Sequence, residues 1–541
     1  MIPPNGGQIR ALDGSKMISH DVANQHDVLA FLADPASYAL AGPVRRIDTH
    51  GSIVFLAGDD AYKVKRAVRF AYMDFSTLEK RRTACVRELE VNRDNAPDIY
   101  LGVSALTRAG ETLEFDGPGE VVEYCVHMRR FDENATMDHL VSKESLTRGL
   151  IARLAGAVVQ AHGRAPRRDM DSAVALHSLI RENGVSLAES AQLFPQARVR
   201  ALTSASLAAI QRESSLLGER RKAGFVRRCH GDLHLGNIAS IHGEPVLFDA
   251  LEFDEDMASI DVLYDLAYLI MDLGERGFTQ AANAVLNRYL WQSDEAHLAG
   301  LAVFPLFLSL RAAIRAKVIA ASLAFRDKAQ HEELSGNARR YFAMAEVFLS
   351  PSAPRLVAIG GLSGAGKTTI AEQLAPFIGR CPGAVHLRSD IERKRLLGAA
   401  QTEHLAQSGY QSSVSAKVYA EIRRKAGITL IAGFGVVADA VHQRPQDRDA
   451  IAAIAQGAGA AFNGLWLDAP LGVRIERVEK RSGDASDATP EVARRQADVD
   501  LGEMSWPRIE AGGDTASTVA KALNALGLPR NEMSTDDARH D

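Results

Sequence analysis

Cysteine is scarce: Cys85, Cys125, Cys229 and Cys381 are the only four in 541 residues, with no Cys-x-x-Cys pair and no zinc-type spacing to histidine. A disulfide scaffold and a structural zinc site are therefore excluded. Long apolar runs are missing too. The most apolar stretch, Leu298 to Leu310, contains Pro305 and runs into Arg311, Arg315 and Lys317, so it is too short to cross a bilayer and reads as one buried helix. Positive charge is not in excess, since 63 Lys and Arg face 68 Asp and Glu for a net charge of −5. Nothing in that balance draws the chain to nucleic acid or to an anionic membrane, which leaves small molecules as the expected partners and the oligomeric state open. Met1 to Gly14 lacks the apolar core of a secretory signal, so the expected location is cytoplasmic.

What remains is an ordinary globular composition, 46% hydrophobic and 24% charged, with no internal repeat. The length suits about three or four compact units, or two composite domains. Residues 52–65 read as a β-hairpin turning at Gly58-Asp59-Asp60, Leu78 to Asn95 as a helix, Glu120 to Met128 as a strand, and 133–225 as mostly helical. The Pro/Ser punctuation Ser350-Pro351-Ser352-Ala353-Pro354 marks a boundary. Beyond it, strand-like runs at 356–359, 384–387, 435–437 and 462–467 alternate with helical text, the pattern of a parallel α/β sheet. The expected domains are 30–345 and 355–527, with 528–541 a polar, disordered tail.

Two constellations carry chemistry. His230-Gly231-Asp232, followed five positions later by Asn237, has the spacing of a phosphoryl-transfer catalytic loop, and Asp249 lies where a hairpin returns a second carboxylate. A polar helix-capping turn is the bland competitor, but capping does not require this spacing. The second constellation, Gly361 to Thr369, satisfies G-x-x-x-x-G-K-[ST] between a strand run and a helical segment. Its glycines Gly361, Gly364 and Gly366, with Ser363 and Ala365, let backbone N–H groups surround phosphates. Lys367 reaches the β and γ positions, and Thr368, followed by Thr369, offers a hydroxyl to magnesium.

On these residues the first half resembles the aminoglycoside phosphotransferase and protein-kinase-like family, and the second resembles P-loop small-molecule kinases and zeta toxins. The joint pattern resembles bacterial fusions of the two. The resemblance implies a bilobal α+β kinase-like fold followed by an α/β P-loop domain with a parallel sheet, using ATP and Mg2+. It implies Asp232 as catalytic base, Asn237 and Asp249 as metal ligands, Lys63 as the strand lysine and Glu88 as its ion-pair partner. Lys65 shares a strand face with Lys63 and competes for that role. Glu123 to Met128 is then the hinge that reads adenine through its backbone. In the second half the resemblance implies Asp390 as base, Arg393 as acceptor contact, and Arg477 and Arg481 as lid arginines. A solvated basic helix is the competing reading for Arg474, Arg477 and Arg481. No Gly-x-Gly-x-x-Gly loop precedes Lys63, and Asp249 is not followed by Phe-Gly, so a protein-kinase activation switch is not expected. The function expected is an ATP-dependent phosphotransferase with two sites acting on hydroxyl groups of small molecules. The opposing reading makes one domain a nucleotide-binding switch that biases the other.

Overall fold

The structure, a computed structural model, describes residues 25–49, 51–70, 73–142, 146–325, 327–480 and 485–528. Arg481, the tail from residue 529 and the N-terminal residues 1–24 lie outside the described residues. The chain divides into two compact units. One comprises the chain up to Gly277 with Val303–Leu349, and the other comprises Phe278–Ala302 with the chain from Ser350.

The first unit has a β-rich lobe and a helical lobe. Strands β1 (Arg45–Asp48), β2 (Ser52–Ala57) and β3 (Asp60–Lys65) are followed by the short pair β4 (Arg69–Phe70) and β5 (Met73–Asp74). After the helix Leu78–Arg93 come β6 (Tyr100–Ala109), β7 (Thr112–Phe115) and β8 (Glu120–Arg129). Six of these form an antiparallel sheet in the order β1-β2-β3-β8-β6-β7. The β2–β3 turn uses Gly58 at φ +60°, the left-handed conformation that a two-residue hairpin needs. The helix Leu78–Arg93 starts where the Thr77 side chain accepts from the Lys80 N–H, and it packs Cys85 into a core with Tyr100 and Val126.

The second lobe is helical except for four short strands. Strand β9 (Val226–Arg228) pairs with β12 (Ser259–Asp261), and β10 (Ile238–Ile241) forms a hairpin with β11 (Glu244–Leu247). The helix Val262–Glu275 packs on β12, the helix Arg148–Arg164 packs on β11, and the helices Ser172–Glu189 and Phe304–Ser322 complete the lobe.

The second unit is a parallel sheet of β13 (Arg355–Gly361), β14 (Val385–Arg388), β15 (Val436–Asp439), β16 (Ala461–Asp468) and β17 (Arg508–Glu510), in the order β14-β15-β13-β16-β17. The uninterrupted apolar text of β13 fits a central strand covered on both faces. Its residues Val357 and Ile359 pack with Ile370, Leu374 and Val519 from the flanking helices.

Three expectations need correction. First, Leu298 to Leu310 is not one helix: His297–Gly300 ends in one unit and Phe304–Ser322 begins in the other, with Pro305 in its first turn, where a missing N–H costs nothing. Second, residues 278–302 fold with the P-loop half, although the linear boundaries put them in the first domain. Third, Glu123 to Met128 is no hinge. The segment is the interior of β8, bonded to β3 on one side and β6 on the other, so its backbone groups are committed to the sheet. Among the described residues no helix is long and apolar enough to cross a membrane.

Candidate active sites

The loop carrying Asp232 is gripped by the helix Val262–Glu275. Asp265 accepts from the backbone N–H groups of His230 (3.1 Å) and Gly231 (2.9 Å), and Asp272, two helical turns further on, accepts from Leu235 N–H (3.0 Å). Residues seven apart lie on one helix face, so a single rigid element holds both ends of the loop. His162 Nε2 lies 3.2 Å from Asp265, and Arg311 donates to the Gly231 carbonyl at 3.2 Å while stacked between Tyr264 and Tyr268. Gly231 adopts φ +81°, and a Cβ there would sit 3.1 Å from that of Leu251. Asp232 itself is buried, with Asn237 Nδ2 donating to its carboxylate and to its carbonyl at 3.0 Å each.

Asn237 precedes β10 and Asp249 follows β11, and the Ile238–Leu247 register places the two ends side by side. Asp249 holds a left-handed φ of +58° although it is not glycine. That conformation is fixed from outside: its N–H donates to the Tyr100 hydroxyl at 3.0 Å, and the next N–H, of Ala250, donates to Asn92 at 2.8 Å. Lys63 bridges Glu88 (2.7 Å) and Asp249 (2.6 Å). Burial opposes its charge, but Asp249, Glu88 and Glu252 outweigh burial and hold the ammonium well above the ordinary lysine value. Lys65 is wholly buried, lies 2.5 Å from the other Glu88 oxygen, and also pairs with Glu252. Both lysines thus reach Glu88, and only Lys63 reaches Asp249. The sequence marked Lys65 as a competitor for the role of Lys63 and Asp265 as either an acceptor-site residue or a buried ion pair; Glu252 and Asp272 were not read from the sequence.

Beside Asp232 opens a cavity of about 430 Å³, walled by the helices Ser172–Glu189, Val262–Glu275 and Phe304–Ser322.

In the second unit the loop from Gly361 to Gly366 leads into the helix Lys367–Leu374, whose N-terminus no side chain caps. Gly364 is at φ +82°, and a Cβ there would meet the Arg474 carbonyl at 2.3 Å, so only glycine fits. Lys367 donates to the Leu362 carbonyl at 3.2 Å, which curls its ammonium over the loop. Thr368 Oγ1 donates to Asp439, at the end of β15, at 2.7 Å. Asp390 and Asp439 are driven apart: burial and then Asp439 raise the Asp390 carboxyl, while His386 and Lys367 overcome burial to lower that of Asp439. Such divergence separates a proton acceptor from a permanent anion.

Arg474 is buried and Arg477 donates to the carbonyls of Ala511 (2.8 Å) and Gly513 (3.1 Å), so this is no solvated basic face. Arg477 stays beside the loop, since a Cβ on Gly366 would lie 3.5 Å from its Nη1. Arg393 is spent on the Gly409 carbonyl (2.8 Å) and stacks on Tyr410. Asp487 ties Lys394 (3.1 Å) to the Tyr410 hydroxyl (2.6 Å).

The outer edge of β14 is covered by the helix Thr279–Gln292. Asn283 and Asn287 each donate to the Ala384 carbonyl at 3.1 Å, Asn287 Oδ1 accepts from His386 N–H at 2.7 Å, and Trp291 Nε1 donates to the His386 carbonyl at 2.8 Å. These three residues, spaced i, i+4, i+8, replace a missing neighbour strand just before Arg388-Ser389-Asp390. That Asn-x-x-x-Asn-x-x-x-Trp stripe was the sequence signal for the assignment of 278–302. Asn287→Leu leaves the buried His386 N–H unpaired at about 1–3 kcal/mol, while Asn283 still serves the Ala384 carbonyl. The expected outcome is faster hydrogen exchange at the His386 amide and reduced turnover by the P-loop unit alone; unaltered exchange rejects the edge role.

The two sites define a class: one chain with a phosphotransferase-type unit and a P-loop kinase-type unit. A family model described as "Phosphotransferase enzyme family" matches residues 130–302, and one described as "AAA domain" matches residues 356–499. The chain is 30% identical over 490 residues to an uncharacterized protein of Mycobacterium tuberculosis, covering 88% of this chain and 94% of that protein. A Mycobacterium bovis protein aligns with the same identity and coverage. The chain belongs to the family of these mycobacterial proteins. Among solved structures, a choline/ethanolamine kinase family protein from Mesorhizobium loti is 15% identical, covering 60% of this chain and 93% of that one, with a TM-score of 0.37. A gluconokinase from Sinorhizobium meliloti is 20% identical, covering 32% and 92%, with a TM-score of 0.24.

Proposed function

We propose that the protein is a cytoplasmic ATP-dependent phosphotransferase with two kinase sites, each phosphorylating a hydroxyl group of a small molecule. The observation that carries this reading is Asp232 at the wall of a ligand-sized cavity, bonded by Asn237 on a loop that Asp265 grips at Gly231 and that leads into the hairpin ending at Asp249, the partner of Lys63. In the first site Asp232 accepts the acceptor's hydroxyl proton as its oxygen bonds to the γ-phosphorus and the bridging P–O bond to ADP breaks. Lys63, held between two carboxylates, orients the phosphates. The oxygen donors Asn237 and Asp249, and in the second unit Thr368 and Asp439, are the hard ligand set that magnesium takes. When bound, the ion neutralises phosphate charge. In the P-loop unit, Lys367 and the loop N–H groups bind the β- and γ-phosphates, Arg477 flanks them, and Asp390 orients or deprotonates the acceptor.

Lys367→Ala removes a charge-assisted contact worth about 1.5–3 kcal/mol, so nucleotide affinity of the second unit should fall roughly 10- to 150-fold. Calorimetric ATP titration of the full chain should then lose one of two binding phases; two unchanged phases reject the P-loop reading. The switch reading has one observation in its favour, the chain path that places a P-loop edge helix between two helices of the first unit. ATP consumption against a panel of sugars, amino sugars, aminoglycosides, nucleosides and simple alcohols, with wild type, Asp232→Asn and Lys367→Ala, decides between them. Acceptor-stimulated turnover lost in one variant supports two kinases, whereas unstimulated hydrolysis lost only in Lys367→Ala supports the switch.

A further inference from the structure

We propose that the acceptor of the first site is an alcohol with an apolar body and no positive charge, bound in the cavity beside Asp232. The inference rests on the assignment of Asp232 as base and adds the chemistry of what it deprotonates.

The cavity, at about 430 Å³, is within the range of small-molecule sites. Its lining includes Leu176, Leu179, Ile314, Val318 and the rings of Tyr264 and Phe307, which outnumber the serines in it. Such walls supply few hydrogen-bond partners. A polyhydroxylated acceptor would leave hydroxyls unpaired at about 1–3 kcal/mol each, while an apolar body gains about 25 cal/mol for every Å² it buries.

Charge points the same way. Asp232 shares the cavity lining with two guanidinium groups, Arg311, which lies 3.9 Å from Asp265, and Arg315, while Asp261 is already held by Arg220 through two hydrogen bonds of 2.7 and 2.8 Å. A cation entering here loses its hydration and meets arginines. The remaining acids, Asp171, Glu182 and Asp256, are exposed at the rim, where water limits each to at most about 1 kcal/mol. Asp171 is further committed to capping the helix Ser172–Glu189. Rim attraction is therefore smaller than the several kcal/mol needed to desolvate an ammonium group.

The test measures ATP consumption by the full chain carrying Lys367→Ala, which silences the second site, with 4-phenylbutan-1-ol, octan-1-ol, choline and kanamycin at equal concentration. Binding of each compound is followed separately by calorimetry. The expected result is stimulation by the two apolar alcohols at least tenfold above that by choline or kanamycin. Leu179→Glu should raise the KM for the alcohol at least tenfold with a smaller change in kcat, and Leu179→Met should restore it. Stimulation by choline or kanamycin alone, abolished by Asp232→Asn, would overturn the acceptor class and leave the kinase reading standing. Saturable alcohol binding that Leu179→Glu removes, with no ATP consumption by any compound, would support the cavity chemistry and overturn phosphoryl transfer. The absence of both binding and stimulation by the alcohols would overturn the proposal.

Discussion

Asp232→Asn is expected to slow acceptor phosphorylation by the first unit about 10²- to 10⁴-fold, the range that a positioned general base contributes, while nucleotide affinity stays within about twofold. The substitution is informative because the loop does not depend on the carboxylate for its shape. Asp265 and Asp272 hold the backbone of residues 230–235, Arg311 holds the Gly231 carbonyl, and Asn237 still reaches the carbonyl of residue 232. An asparagine fits the same space and keeps one acceptor oxygen for Asn237, but it has neither the charge nor the proton affinity of the carboxylate. Acceptor-dependent ATP consumption gives the rate, and calorimetric titration gives the affinity. A fall in kcat with unchanged KM for ATP is the signature of a group acting in the transition state. Turnover at the wild-type rate would remove Asp232 from the chemistry, and a parallel loss of nucleotide binding would show that the loop had collapsed.

The residues legible in the sequence are those whose chemistry demands fixed local spacing. Asp232 and Asn237 stand on one short loop, Gly361 to Thr368 on one strand-turn-helix, and both were read without any knowledge of the fold. Lys63 and Glu88 were legible at longer range because a strand lysine and a helix carboxylate are the parts that a kinase-like lobe requires, and the structure brings them to 2.7 Å. What was not legible depends on tertiary neighbours. Asp265 was legible as a buried charge but not as the acceptor that grips the loop, and Asp272 not at all, because an aspartate that accepts distant backbone N–H groups looks like any other. The helix Thr279–Gln292 follows Val262–Glu275 so closely that local text assigns both to one domain, and its Asn283, Asn287 and Trp291 stripe gains meaning once the edge of β14 is seen. The hinge was misplaced for a related reason. The apolar text of Glu120 to Met128 was read correctly as strand, but which strand has neighbours on both sides is a property of the sheet.

Lys65→Met should destabilise the first unit by about 3–5 kcal/mol, because it leaves buried carboxylates without their cation. Two lysines, Lys63 and Lys65, serve three carboxylates, Glu88, Asp249 and Glu252, and Asp249 is the most exposed of the three. The cluster therefore carries one surplus negative charge at its open end, where a divalent cation and phosphates neutralise each other. Without Lys65, the single charge of Lys63 has to serve Glu88, Asp249 and the wholly enclosed Glu252. At roughly 2–4 °C per kcal/mol for a sizeable domain, Tm should fall by about 6–20 °C. Methionine nearly fills the lysine stem's volume, so a cavity is not the cause of the loss. Glu252→Gln separates electrostatics from packing. Removing one orphaned charge should recover part of the Lys65→Met loss, so the double variant should be more stable than the sum of the single effects by about 1–3 kcal/mol. Strict additivity in thermal unfolding would mean that Lys65 and Glu252 are neighbours without being partners. The same coupling predicts where function suffers: Glu88 keeps Lys63 in place only while Lys65 holds its other oxygen, so Lys65→Met should weaken ATP binding in the first unit even at temperatures where the unit remains folded.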